Sequence, residues 1–384
     1  MTKQMVTKKY CGLYIHIPFC VSKCSYCDFA SVVKNNTLID EYTTALCKEM
    51  TLYKAKFCDT TIDTIFIGGG TPSCIPQKNL KTIVSSIYKN FNTNTKEFTV
   101  EINPGTGNPG LFIMLRDMGV NRASIGLQCA NDTILKSIGR IHNINQFKDT
   151  INQIKMVGID NFSVDIISGL PNQTDEDLIN SINLVNELDA KHISMYALKL
   201  ENGTPLEHSV TNGTITLPQE DDEYNMSLKA RQYLHSLGYN RYEISNFAKR
   251  GYESKHNLKY WQLQPYLGLG VAAASMYDNT RYINVNSIKN YIALVNSNKL
   301  PLSETTVLSK NDIAFEMIML YTRLSKGLEY DKYNQFTGES FIEKYSDLIK
   351  ELEELELINK SSTHLVLTQK GMDLQNNILL KFMD

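Results

Sequence analysis

The chain reads as an α/β fold, a parallel sheet with helices outside it, followed by a smaller C-terminal α+β part. Three observations predict this. Six short apolar runs alternate with helical segments at irregular spacings of about 25–50 residues, the pattern of repeated βα units. Chemically notable residues fall at the C-terminal ends of those runs, where parallel sheets place their sites. From about Leu300 the character changes to helices with one short strand.

In chain order, Gly12–Ile17 is the first strand, stopped by Pro18. Leu38–Lys56 has helical spacing, with Leu38, Tyr42, Leu46, Met50 and Tyr53 on one side. Thr64–Ile67 is a buried strand running into Gly68-Gly-Gly-Thr-Pro-Ser73, and Asn79–Tyr88 is the next helix. Phe98–Ile102 is a third strand, Leu111–Met118 a helix stopped by Gly119, and Ala123–Leu127 a fourth strand leading into Gln128. Helical stretches at Thr133–Ile138 and Phe147–Val157 precede a fifth strand, Phe162–Ile167. Asp175–Leu188 is helical behind a capping Thr174, and His192–Leu198 is the sixth strand. Six units are too few for an eight-stranded barrel. Pro218–Leu237 is a further helix and Tyr242–Phe247 is extended. Beyond Leu300, helices at Asp312–Leu324, Ser340–Leu357 and Gly371–Phe382 with a strand at His364–Thr368 are similar to a winged-helix-like domain, with no basic helix to suit DNA. The expected division is 1–300 and 301–384.

Composition narrows the function classes. A formal net charge of −2 gives no reason to expect a nucleic-acid partner. No apolar stretch reaches membrane-spanning length, and Met1–Tyr10 is polar and basic, unlike a signal peptide. The eight cysteines form no disulfide-like framework. Cys11, Cys47, Cys58, Cys74 and Cys129 share no spacing pattern and read as small buried hydrophobes. A reducing, cytoplasmic compartment is expected.

The remaining three, Cys20, Cys24 and Cys27, stand at spacings of four and three behind the first strand. A structural zinc site wants four ligands. A [4Fe–4S] cluster usually takes four thiolates, so a loop with three leaves one iron for a non-protein ligand. Cys24 and Cys27 alone would also suit half a zinc knuckle or a redox pair, but no second C-x-x-C or Cys/His pair completes either. The C-x₃-C-x₂-C spacing resembles the radical S-adenosylmethionine (SAM) superfamily. That resemblance implies an open, partial (β/α)6 TIM-like barrel. It also implies a cluster on Cys20, Cys24 and Cys27, with SAM chelating the open iron and cleaved to a 5′-deoxyadenosyl radical by an electron from the cluster.

Other residues then take expected places. Gly69, Gly70 and Thr71 match the superfamily's Gly-rich motif, whose backbone holds the methionine amino group, although its usual acidic residue is absent. Glu101 suits a contact to the SAM amino group or ribose, and Gln128 and Asp165 suit its ribose or carboxylate. Arg140 is placed to neutralise the SAM carboxylate. Tyr26 suits the adenine. Tyr14 suits the methionine, or a plain core position. Each of the polar residues has a structural alternative as a satisfied hydrogen-bonding group.

Tyr14-Ile-His-Ile-Pro-Phe-Cys20, Phe66–Ser73, Glu101–Thr106, Ser124–Gln128, Asp165–Pro171 and Tyr242–Ala248 resemble the oxygen-independent coproporphyrinogen III oxidase family. The decarboxylating enzymes of that family extend the motif by C-x-C, and here the last position is Phe29. Their N-terminal extension is also longer than the 19 residues before Cys20. Both departures point to the family's haem-chaperone branch, whose H-N-x-x-Y-W motif is similar to His256–Trp261. The small-residue run Ala272–Ala274 stands where many relatives have a histidine. The resemblance implies haem as cargo, passed to a membrane or cytosolic haem protein. His256 is the haem-contact candidate, against the alternative of a hydrogen-bonded structural histidine. Oxidative decarboxylation of coproporphyrinogen III is the rival function, and radical chemistry on an unrelated substrate a third.

Overall fold

The computed structural model describes residues 9–383. The polar stretch 1–8, most of the segment read as lacking a signal peptide, lies outside the described residues. The six expected strands form as β1 (Lys9–Ile17), β2 (Thr60–Gly69), β3 (Asn92–Ile102), β4 (Arg122–Gln128), β5 (Phe162–Ser168) and β6 (His192–Ala197). Each pairs parallel with the next. Two short strands, β7 (Asn240–Arg241) and β8 (Asn246–Ala248), add antiparallel at the β6 edge. At the other edge β9 (Tyr266–Leu269) joins β1 in parallel, which makes seven parallel strands where six were expected. The antiparallel strands β10 (Ala274–Tyr277), β11 (Thr280–Asn284) and β12 (Leu302–Val307) complete a sheet of 12. The sheet order runs from β12 through β1 to β7 without the ends meeting, so the barrel is open, as expected.

Strand alternation sorts the side chains. On β1, Cys11, Leu13, Ile15 and Ile17 join the main hydrophobic core with the outer helices, while Tyr14 and His16 take the opposite face. The helices α1 (Asn36–Tyr53), α2 (Gln77–Asn90), α3 (Pro109–Asp117), α4 (Asp132–Ser137), α5 (Ile144–Met156) and α6 (Asp175–Glu187) connect the strands. Their starts follow local chemistry. Asn143 and Thr174 form full capping boxes, and the Asp177 backbone N–H donates to Thr174 Oγ1 at 3.2 Å. After β6 come α7 (Pro205–Thr211), α8 (Glu220–Ser236) and the inner helix α9 (Lys255–Trp261). Glu97 of β3 caps α9, accepting from the Lys255 and His256 backbone N–H groups at 2.8 and 2.9 Å.

The C-terminal part has its own core, built around Leu328, Tyr333, Phe341 and Leu365. It contains a small antiparallel sheet in which His364–Leu367 lies between Leu328–Glu329 and Ile358–Asn359. The expected helix Ser340–Leu357 is broken at Tyr345, and Gly371–Phe382 is broken at Leu374. A helix at Tyr330–Thr337 had no counterpart in the sequence reading. The edge strand β12 lies beyond residue 300, so the division we propose between the two parts falls after Val307.

Candidate cluster and SAM site

The C-terminal ends of β2 to β6 and the loop after β1 enclose a cavity of about 540 Å³. Cys20, Cys24, Cys27 and Tyr26 line one wall. Gly69, Gly70, Thr71, Glu101, Gln128, Arg140 and Asp165 line the rest. The chain thus brings together 11 of the 13 expected site residues, drawn from four strands and two loops.

Backbone contacts fix the cysteine loop. The Ser25 N–H donates to Ile138 O at 3.1 Å, and Leu206 N–H donates to Ser25 O at 2.9 Å. Gly139 has φ +77°, and a Cβ there would meet Ser25 N at 3.2 Å, so only glycine lets these two segments approach comfortably. Thr71 Oγ1 points to Cys20 Sγ at 3.5 Å and Arg140 Nη1 to Cys24 Sγ at 3.6 Å. Arg140 is also held by Gly126 O at 2.8 Å and by Asn103 Oδ1, and its Nε has no partner. Burial opposes the Arg140 charge, but Tyr26 and Cys24 outweigh it and its pKa is raised. Burial, with Cys24 and Cys20 beside it, pushes Cys27 up, against the Phe29 backbone and Lys23.

On the opposite wall the Gly69 N–H donates to Glu101 Oε2 at 2.9 Å. Gly69 has φ +112°, and a Cβ there would lie 2.5 Å from the His16 ring, so the turn must be glycine. At Gly70 a Cβ would meet Phe19 O at 2.8 Å. Burial, with Asp165 nearby, raises the Glu101 carboxyl to about 7. Burial raises Asp165 too, against Ser194, Arg122 and Ser124. Two buried carboxyls that resist ionisation are poised for a cationic partner. Gln128 takes φ +73° where the β4–β5 register shifts, which sets it and Gly126 against Arg140.

These features fit the expected group. Three free thiols share one wall, and a bare glycine turn, an unpartnered guanidinium N–H and two buried carboxyls face them. Among the described residues no three His, Cys, Asp or Glu side chains converge as the ligands of a single metal ion would. Asn103, Ser124, Gly126, Tyr196 and Lys199 also line the cavity and were not anticipated. Asn103 had a signal in its place directly after a strand end. The others become visible only through sheet register.

Two expected residues lie elsewhere. Tyr14 pairs in register with Phe66, below the cavity, and its hydroxyl bonds His16 Nδ1 at 2.9 Å. Its side chain packs in the barrel interior, which is the alternative core position. His256 is 1% exposed. Its Nδ1 pairs with Thr64 Oγ1 at 2.9 Å and its Nε2 with Tyr260 OH at 2.8 Å. Burial, with Lys259 and Arg122, lowers its pKa to about 3. The geometry counts against haem ligation by His256, because the ring is buried and both nitrogens are hydrogen-bonded. The rest of its motif joins the two parts of the chain. Lys259 pairs with Asp63 at 2.8 Å inside the barrel, and Trp261 packs on the C-terminal core with Arg323 5.4 Å from its ring. His256→Ala is accordingly expected to leave the haem spectrum unchanged and to lower stability by about 2–4 kcal/mol through a cavity and two stranded hydroxyls. Thermal unfolding beside a haem titration checks this, and loss of haem uptake in a still-folded variant would refute it.

With this geometry in hand, likeness to known proteins is informative. Residues 14–185 match the radical SAM superfamily and residues 308–374 the HemN C-terminal domain. Over 372 residues the chain is 35% identical to a protein of Bacillus subtilis (strain 168) named "Heme chaperone HemW", covering 96% of this chain and 98% of that one. The chain belongs to the HemW family. A HemW of Lactococcus lactis is likewise 35% identical, with 96% of each chain covered. The radical SAM match implies a [4Fe–4S] cluster and SAM. Among solved structures, coproporphyrinogen III oxidase (HemN) from Escherichia coli superposes with a TM-score of 0.86 at 23% identity, covering 98% of this chain and 90% of that one. That likeness establishes the fold, an open radical SAM barrel with a C-terminal domain.

Proposed function

We propose that this chain is a radical-SAM-type haem chaperone. It would hold a cluster on Cys20, Cys24 and Cys27, take SAM beside it, bind haem, and deliver that haem to recipient haem proteins. The observation that carries the reading is full-length likeness to HemW proteins combined with Phe29 where a decarboxylating oxidase has cysteine. Phe29 lines the cavity mouth and is 60% exposed. A bulky apolar residue there cannot supply a thiolate.

Bound there, a [4Fe–4S] cluster supplies one electron at low potential to the sulfonium of SAM. The chain's own residues bind and orient. Arg140, beside Cys24, would hold the carboxylate end of the cofactor. Gly69 and Gly70 would allow the backbone to approach its amino group, and Glu101 and Asp165 would take its cationic and hydroxyl groups. Tyr26 would supply an aromatic face. The eight cysteines are free thiols, which supports a reducing, cytoplasmic setting. No helix among the described residues is long and apolar enough to cross a membrane.

Anaerobic reconstitution tests the reading. With cluster, SAM and dithionite present, haem and coproporphyrinogen III are offered in separate tubes. Stable haem uptake without vinyl formation is expected. Conversion to protoporphyrinogen IX would overturn the proposal in favour of the oxidase.

A further inference from the structure

A second large cavity lies on the other side of the β6 edge, between the barrel and the C-terminal part. Its volume is about 550 Å³, within the ~300–1,000 Å³ of small-molecule pockets. Met195 and Ala197 of β6, Phe247 of β8 and residues of α8 form one side, and Lys370, Asp373 and Leu374 close the other. Ala197 lines both this cavity and the cluster cavity, so the two meet at one strand end. We infer that this seam cavity is the haem seat, its apolar wall covering the macrocycle and its cations holding the propionates. The inference rests on the haem-chaperone reading and gives that reading a place.

The wall combines apolar side chains with three cations and two carboxylates. Met195, Ile244, Phe247 and Leu374 present apolar surface, with Tyr224 at the edge. Three cations stand around them, Arg231, Arg241 and Lys370. Arg231 pairs with Asp373 at 2.7 Å, yet its Nε has no hydrogen-bond partner. Arg241 and Lys370 have no carboxylate within ion-pair distance among the described residues. Arg241 donates instead to Ile244 O at 3.0 Å and to Gln369 Oε1 at 2.9 Å, and Lys370 to Leu355 O at 3.0 Å. The other carboxylate on the wall, Glu223, is engaged by Ser168 Oγ at 2.9 Å. The Nε/Nη2 edge of Arg241 rests on the Ile244 carbonyl alone, a neutral partner that a propionate would replace, and Lys370 is the second cation without a carboxylate partner, so the two match the two propionates of haem. Burial first and then Arg231 lower the Arg241 pKa to about 10, while Asp373 and Glu243 oppose the fall.

SAM and the cluster account for the first cavity, so haem needs a separate place within the same molecule. The seam supplies one that borders the cofactor site without overlapping the cysteines. It also gives the C-terminal part a role, since Lys370 and Asp373 complete the wall.

The test is an absorbance titration of the anaerobically reconstituted full chain with hemin and, in parallel, with the dimethyl ester of the same iron porphyrin. Three proteins are compared. One is the unaltered chain. The second is an Arg241→Met, Lys370→Met double variant. The third is Ser227→Phe, which fills the cavity from α8 without removing a charge. Hemin affinity is expected to fall roughly tenfold or more in both variants, with cluster absorbance and SAM binding unchanged. The ester is expected to bind the unaltered chain more weakly than hemin by a similar factor. Variants that bind hemin as the unaltered chain does, or an ester that binds as tightly as the free acid, would overturn the seam as the haem seat while leaving the chaperone reading standing. An unaltered chain that takes up no haem would overturn both.

Discussion

Replacing Cys24 with alanine is expected to remove the iron–sulfur cluster and leave the fold intact. Losing even a hydrogen-bonding partner of a metal ligand costs roughly 10–100-fold in affinity, and losing one of three thiolates costs at least that. The fold should survive because Cys24 belongs to none of the hydrophobic cores, and its loop is held by backbone bonds from Ser25. The informative control is Cys74→Ala. Outside the triplet, Cys74 is a thiol whose titration senses Cys20, and it is the natural rival for a fourth ligand. Burial pushes it up to about 11, and its S–H faces Phe19 O at 3.4 Å. Cys74 stands outside the C-x₃-C-x₂-C triplet, so it is not expected to ligate. Cys11, also outside it, is pushed up by burial to about 12. Iron and sulfide analysis with electron paramagnetic resonance after anaerobic reconstitution should therefore show little cluster in Cys24→Ala and a full cluster in Cys74→Ala. Loss of the cluster in Cys74→Ala would mean that four protein thiolates hold it and that no iron is open to SAM.

Much of this site was legible before the fold was known, for a physical reason. Parallel strands run into loops at one end, and a polar residue at the end of an apolar run has few other places to go. Glu101, Gln128 and Asp165 could be picked out that way, and the spacing of Cys20, Cys24 and Cys27 carries its own chemistry. Depth along the barrel was not legible. Alternation places Tyr14, Thr64 and Gly68 on one face but does not say which level opens to a ligand. Register decides it. Tyr14 is level with Phe66, and His256 contacts Thr64, four residues below Gly68 on the same strand, or about 13 Å at 3.3 Å per residue. The seventh parallel strand was missed for a related reason. Tyr266–Leu269 is short and carries a glycine, and it exists because β1 offers it a partner some 250 residues earlier in the chain.

Glu101→Gln should stabilise the ligand-free protein above neutral pH and weaken SAM binding there. Glu101 is buried, and its carboxyl is raised from 4.5 to about 7, first by burial and then by Asp165. The folded chain therefore holds a proton that the unfolded chain releases. Stability is full below the unfolded value and is lost as pH rises through the folded one, so the window is pH 4.5–7. Its depth is of the order of 3 kcal/mol, at 1.36 kcal/mol per unit. Glutamine keeps an acceptor for the Gly69 N–H and removes the titration, so the fall in melting temperature between pH 5.5 and 8 should shrink. It should not vanish, because Glu49 is raised to about 7 by burial as well and remains. Glu49 bonds Tyr291 at 2.6 Å, Gly270 at 2.8 Å and Asn284 at 2.8 Å, far from the cavity. For SAM the sign reverses. The carboxylate attracts a cationic amino group, so affinity should climb as pH rises toward 7 and level above it. The variant should lose that climb, and at pH 8 bind roughly tenfold more weakly. Calorimetric titration at pH 6 and pH 8, with melting curves on the same samples, separates the two effects. A variant that binds SAM with the unaltered pH dependence would remove Glu101 from the cofactor site. A variant less stable at pH 8 would show that its charge holds the barrel end together.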